Sequence, residues 1–247
     1  METPDTIEGR LAAVYDEIRR ACARADRSPD DVTLIAVSKT HPAQVVAEAA
    51  AAGQRRFGEN RPEEAIGKMA EVARLCDTPV EWHLIGHVQS RKARYATEGF
   101  ALVHSLDSLK LAGRLARILS ERQSQLDVLL EINVSGEASK EGWHMAAWRD
   151  DPAVRRALWD DVTALLALPQ LHIRGLMTMA PIVDEPEQAR PVFTALRELR
   201  DALAEEFPAT DWSQLSMGMS DDYPVAVEEG ATLVRVGRAI FGSRGTP

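Results

Sequence analysis

The sequence predicts an α/β protein, a single (β/α)8 TIM-type barrel with an extra N-terminal helix. Three observations carry this. Short apolar, β-branched runs alternate with helical stretches eight times, which calls for a parallel sheet with right-handed crossovers. The 247 residues fit one such barrel. After the first run, SKTH stands where a doubly wound open sheet would carry a glycine-rich GxGxxG turn. The expected domain is 1–247, with a leading helix over 1–27 and the barrel over 28–247.

The leading helix shows Ile7, Leu11, Val14, Tyr15, Ile18 and Cys22 on one stripe, with Arg10, Glu17, Arg19 and Arg20 off it. Ser28-Pro29 closes it. VTLIAVSK, residues 32–39, is the first strand. Pro42 opens the next helix and Gly53 ends it. Further strands are expected at 55–60, 81–87, 101–107, 126–134, 171–180, 212–219 and 232–241. Helices are expected between them, including VQSRKARYATEG, a region from about Met145 to Leu168, and a short one at DDYPVAVEEG. Ser108 is a plausible N-cap. The polar stretch SGEASKEGW reads as an insertion in the barrel, not a domain boundary.

Composition narrows the function. A net charge of −9 and a pI near 5.2 argue against non-specific binding to nucleic acid or anionic membranes. The start, METPDTIEGR, is polar and acidic, unlike a signal peptide, and no apolar run is long enough to span a bilayer. Cys22 and Cys76 form no disulfide framework and lack metal-type spacing, so reduced thiols in a cytoplasmic protein are expected.

Barrel active sites sit at the carboxyl ends of the strands. The polar residues there are Lys39, Glu59, Asn60, His83, His104, Asp107, Asn133, Thr178, Ser216 to Ser220, and Arg235 to Arg238. Lys39 ends a buried strand, where desolvation lowers an amine's pKa and frees it to attack an aldehyde. A snorkelling lysine with its head in water is the other reading. LSMGMSDD and VRVGRAIFG place glycine-bearing turns after the last two strands, the usual phosphate site of such barrels. Together they imply one molecule with an aldehyde at one end and a phosphate at the other. Pyridoxal 5′-phosphate (PLP) fits, and so does a phosphorylated sugar. Arg235, two residues before Gly237, points into the barrel. There it is either a salt-bridge partner or the group facing a pyridine nitrogen, which it would keep unprotonated. The histidines do not read as metal ligands: His83 and His87 are four apart on a strand, and HLIGH lacks the glutamate of HExxH.

Over nearly its whole length the chain resembles the pyridoxal phosphate homeostasis protein family. The matching segments are IAVSKTHP, FGENRPEE, WHLIGHVQSRK, VHSLD, LLEINVSGEASKEG, IRGLMTMAP, LSMGMSDD and VRVGRAIFG. That family resembles the barrel domain of alanine racemase. The resemblance implies that Lys39 forms an internal aldimine with PLP and that Arg235 faces the pyridine nitrogen. It implies that Ser216, Gly237 and the Arg238 backbone hold phosphate with Met217 and Ser220 close by, and that Asn60 and His83 line the ring pocket. His87 stands at a commonly apolar or proline position, and Arg91 at a common asparagine.

Three functions follow. One is a PLP carrier, buffer or delivery protein in intracellular PLP homeostasis, serving apo PLP-dependent enzymes, without substantial catalysis. The others are a PLP-dependent racemase and a cofactor-free aldolase. The last expected strand lies close to Pro247, so a second domain supplying a tyrosine base is not expected. Of Tyr15, Tyr95 and Tyr223, only Tyr223 is expected near the mouth. The resemblance also implies a monomer.

Overall fold

The computed structural model describes residues 6–242. The ends of the expected domain, 1–5 and 243–247, lie outside the described residues. The leading stripe forms α1 (Ile7–Arg24), capped by Thr6 and buried through Ile7, Leu11, Val14, Ile18 and Cys22. There follow β1 (Thr33–Val37), α2 (Ala43–Ala51), β2 (Arg56–Glu59), α3 (Pro62–Leu75), β3 (Glu81–Leu84) and α4 (Ala93–Ala96). Next come β4 (Leu102–Leu106), α5 (Leu109–Glu121), β5 (Leu126–Asn133), β6 (Trp143–His144) and α6 (Pro152–Leu166). The chain continues through β7 (Leu171–Met177), α7 (Arg190–Glu206), β8 (Gln214–Ser216), α8 (Tyr223–Glu228), β9 (Leu233–Val236) and α9 (Arg238–Phe241).

Eight strands close into a parallel barrel in the order β4-β3-β2-β1-β9-β8-β7-β5, and β4 pairs with β5 to complete the ring. The fold is the expected (β/α)8 barrel. Strand alternation separates two cores. Ile35, Leu102, Leu129, Met177 and Leu233 fill the interior, while the outward residues pack under the helices. Gly175 holds a bulge in the β5–β7 register, where a Cβ would lie 1.8 Å from Gln214 O at a φ of +144°.

Several boundaries differ from the sequence reading. α6 starts at Pro152, not Met145, because Asp151 caps it through Ala153 N–H at 2.8 Å and Pro152 suits the first turn. The stretch before it instead lays β6 along β5. Residues 90–96 form a 3-10 turn and the one-turn α4, since only Ala93 and Ala96 there are buried. The last strand stops at Val236. Gly237 then presses on β1, where a Cβ would meet Val37 O at 3.2 Å, and α9 begins.

Candidate functional site at the barrel mouth

β1 carries Lys39 to the mouth, two residues past Val37 on the inward parity of Ile35, and leaves it half-buried. The turn beneath is braced from outside the barrel. Lys68 Nζ donates to Ser38 O at 3.0 Å and to Glu59 Oε1 at 2.7 Å, and Ser38 Oγ donates to the same carboxylate at 2.8 Å. Ser38 and Glu59 are buried, so the ion pair fixes the backbone next to Lys39.

Arg235 projects inward from β9 and is fully buried. Its guanidinium donates to Ser216 Oγ at 2.6 Å and to Thr178 O at 2.8 Å. Burial lowers it to about 10, and Asp222 and Glu131 oppose that shift, so it stays cationic at neutral pH.

Ser216 connects Arg235 to a row of histidines. His104 Nδ1 lies 2.7 Å from Ser216 Oγ, His83 Nδ1 lies 2.8 Å from His104 Nε2, and His83 Nε2 lies 2.8 Å from Glu81 Oε1. One assignment of hydrogens satisfies every contact: Arg235 donates to Ser216, Ser216 to His104, His104 to His83, and His83 to Glu81. His104 is then neutral. Burial, with His83 and Arg235 nearby, holds His104 well below the usual histidine range.

On the β8–β9 side, Gly237 N donates to Ser220 Oγ at 3.2 Å, and Met219 N donates to Asp222 Oδ1 at 2.6 Å. Gly218 has a φ of +89°, and a Cβ there would lie 2.6 Å from Ala226 Cβ, so this close turn admits glycine alone. Arg238 pairs with Asp221 at the surface.

The structure thus brings Lys39, Ser220, Gly237 and Arg238 to the rim and sets Arg235 and Ser216 in the floor. Asn60 follows β2 at the rim, its backbone so close to Gly86 that a Cβ would fall 2.4 Å from Asn60 O. His83 sits deeper, with both ring nitrogens engaged by Glu81 and His104. Met217 turns outward into the helix-facing core. Tyr223 does not reach the mouth: it packs in that same outer core beside α1, and burial, reinforced by Glu17, raises it to about 12. The sequence reading named His104 and Glu59 as strand-end groups without giving them partners. It passed over Glu131, a buried carboxyl that burial and Asp107 push up to about 7.

The alanine racemase N-terminal domain profile matches residues 10–245. A pyridoxal phosphate homeostasis protein of Pseudomonas aeruginosa is 46% identical over 97% of this chain and 96% of its own length. The chain belongs to the pyridoxal phosphate homeostasis protein family. The family member of Escherichia coli K12 is 42% identical over 96% of this chain and 97% of its own. Among solved structures, PipY of Synechococcus elongatus PCC7942 with PLP bound superposes with a TM-score of 0.79 at 41% identity, covering 96% of this chain and all of PipY. Alanine racemase of Clostridium difficile 630 shares the barrel, with a TM-score of 0.68 at 12% identity; the match spans 98% of this chain and 58% of the racemase.

Proposed function

We propose that this chain binds PLP in the barrel mouth and serves PLP homeostasis as a carrier, buffer or delivery protein, without efficient amino-acid turnover. The observation that carries the reading is Arg235, a buried cation pinned by Ser216 and the Thr178 carbonyl on the inward face below Lys39. The donor set suits the cofactor: an amine on the rim, a fixed guanidinium in the floor, and Ser220 beside the Gly237 amide at the entrance to α9. The likeness to PipY, solved with PLP bound, supports the same assignment.

Lys39 supplies the amine for the covalent bond. Ser220 and the Gly237 and Arg238 amides hold the phosphate, and Asn60 borders the ring. Ser216 and His83 act as positioning residues, because the contacts of Ser216 Oγ and of both His83 nitrogens are already directed inside the barrel. Bound PLP supplies an electrophilic carbon and an electron-withdrawing ring, and an arginine facing the ring nitrogen weakens the second property. That weakening, with Tyr223 in the outer core, favours holding the cofactor over transforming substrates. The partners of such a protein are apo PLP-dependent enzymes.

The test is borohydride treatment of the PLP-loaded protein followed by peptide mapping. A pyridoxyl group on Lys39 is expected, and Lys39→Ala should abolish it. Labelling of Lys92 or Lys140 instead, or an unlabelled protein, would sink the assignment.

A further inference from the structure

Across the mouth from Ser220 and Gly237, three loops bring a second set of donors together. His87 follows β3, Asp107 follows β4, and Glu141 lies between β5 and β6. One donor atom from each falls within 4.8 Å of the others. His87 Nδ1 stands 2.8 Å from Asp107 Oδ2. The angle makes no hydrogen bond, and Asp107 Oδ2 is buried without a hydrogen-bond partner among the described residues.

A second observation comes from below. Glu131 is 4% exposed, and its Oε2 is likewise buried without a partner among the described residues. Asp107, His87 and Glu141 are among the charged groups that act on it. The Glu141–Gly142 segment passes directly over it. A Cβ on Gly142 would lie 2.2 Å from Glu131 O and 3.0 Å from Glu131 Cγ. Two carboxylates and an imidazole therefore converge, with the buried, unpartnered Asp107 Oδ2 among them and the buried Glu131 carboxyl close below. A divalent ion would balance the two carboxylate charges of Asp107 and Glu141.

We propose that His87, Asp107 and Glu141 bind a divalent first-row transition ion, with Glu131 as the buried carboxylate beneath it. The imidazole is what selects the class. Imidazole suits zinc-like ions, whereas magnesium and calcium want oxygen donors alone. Bonds of about 2.0–2.2 Å to nitrogen and carboxylate oxygen let small side-chain rotations close the site. The sequence pattern hid it by setting His87 against His83, whereas the fold sets it against Asp107 and Glu141.

The test is calorimetric titration of the tag-free, chelator-treated full chain with Zn²⁺ and Co²⁺, with the visible spectrum of the Co²⁺ form as a second readout. One ion per chain is expected. His87→Ala and Glu141→Gln, both at exposed side chains, should each weaken binding by at least about tenfold with the circular dichroism spectrum unchanged. His172→Ala, at a surface pair with Asp127, should leave it intact. Sub-stoichiometric binding, binding indifferent to both cluster substitutions, or Mg²⁺ or Ca²⁺ competing on equal terms would each overturn the proposal.

Discussion

Ser216 Oγ accepts a hydrogen bond from Arg235 at 2.6 Å and stands in hydrogen-bond contact with His104 Nδ1 at 2.7 Å. This places the hydroxyl between a buried cation and a buried neutral imidazole. Ser216→Ala deprives both of a partner in a space sealed from water. A hydrogen bond to a charged group is worth about 1.5–3 kcal/mol. Urea unfolding should show a stability loss of that size, and a loss under about 0.5 kcal/mol, usual for a surface change, would mean that the relay does not form.

The same interior fixes two opposite pH dependences. His104 has a folded pKa below its unfolded value of 6.5, so only the unfolded chain takes up its proton as pH falls below 6.5. Its contribution to stability is lost on acidification. Glu131 is raised from 4.5 to about 7, so between those values the folded chain holds a proton that the unfolded chain has released. Its contribution is present below 4.5 and is lost as pH rises through 7. Glu131→Gln removes that loss. With chelator present, the variant should gain on the order of 3 kcal/mol over the parent chain above pH 7 and nothing at pH 4. Equal pH profiles by urea unfolding would show that Glu131 ionises normally.

The barrel was legible because buried parallel strands are apolar runs punctuated by proline and glycine. The inward direction of Arg235 was legible from alternation, counted back from Gly237. The histidine row was not. His83 and Ser216 meet through His104, and 112 residues separate His104 from Ser216. Alternation says which side of a strand faces in, but the stagger of the closed sheet decides which inward residues share a layer. That stagger sends His83 to Glu81 and His104 and away from the rim. Two-residue β6 has too little sequence to carry a period. Glu131 did leave a signal: a lone carboxylate inside LLEINV, on the same parity as Asn133.

The brace behind Lys39 is a buried ion pair, with side chains 15% and 5% exposed for Lys68 and Glu59. Lys68→Met would strand the Glu59 carboxylate with Ser38 as its remaining donor. Breaking a buried pair from one side costs about 3–5 kcal/mol, whereas replacing both partners with apolar residues is often near neutral. Lys68→Met should therefore destabilise strongly, and Glu59→Met with Lys68→Met should recover most of the loss. A double variant no better than the single one in chemical denaturation would show that the two charges are not coupled.

The last prediction concerns what the PLP-loaded protein leaves undone. Racemisation needs a base on each face of the substrate's α-carbon, within hydrogen-bond reach of the proton it moves. Lys39 stands on one side. Tyr223, the tyrosine expected nearest the mouth, lies in the outer core beside α1, and burial makes its hydroxyl harder still to ionise. Arg235 stays cationic in the floor, held by Ser216 and Thr178, so it offers no proton acceptor. Incubation of the loaded protein with L-alanine in deuterated water should change the absorbance as the amino acid engages the cofactor. Chirality should persist, and α-deuterium should enter far more slowly than an ordinary enzymatic rate of about 10 s⁻¹. Conversion to D-alanine near that rate, followed by nuclear magnetic resonance and chiral chromatography, would replace the carrier reading with a racemase. Replacement of Lys39 and of each rim residue in turn would then locate the second base.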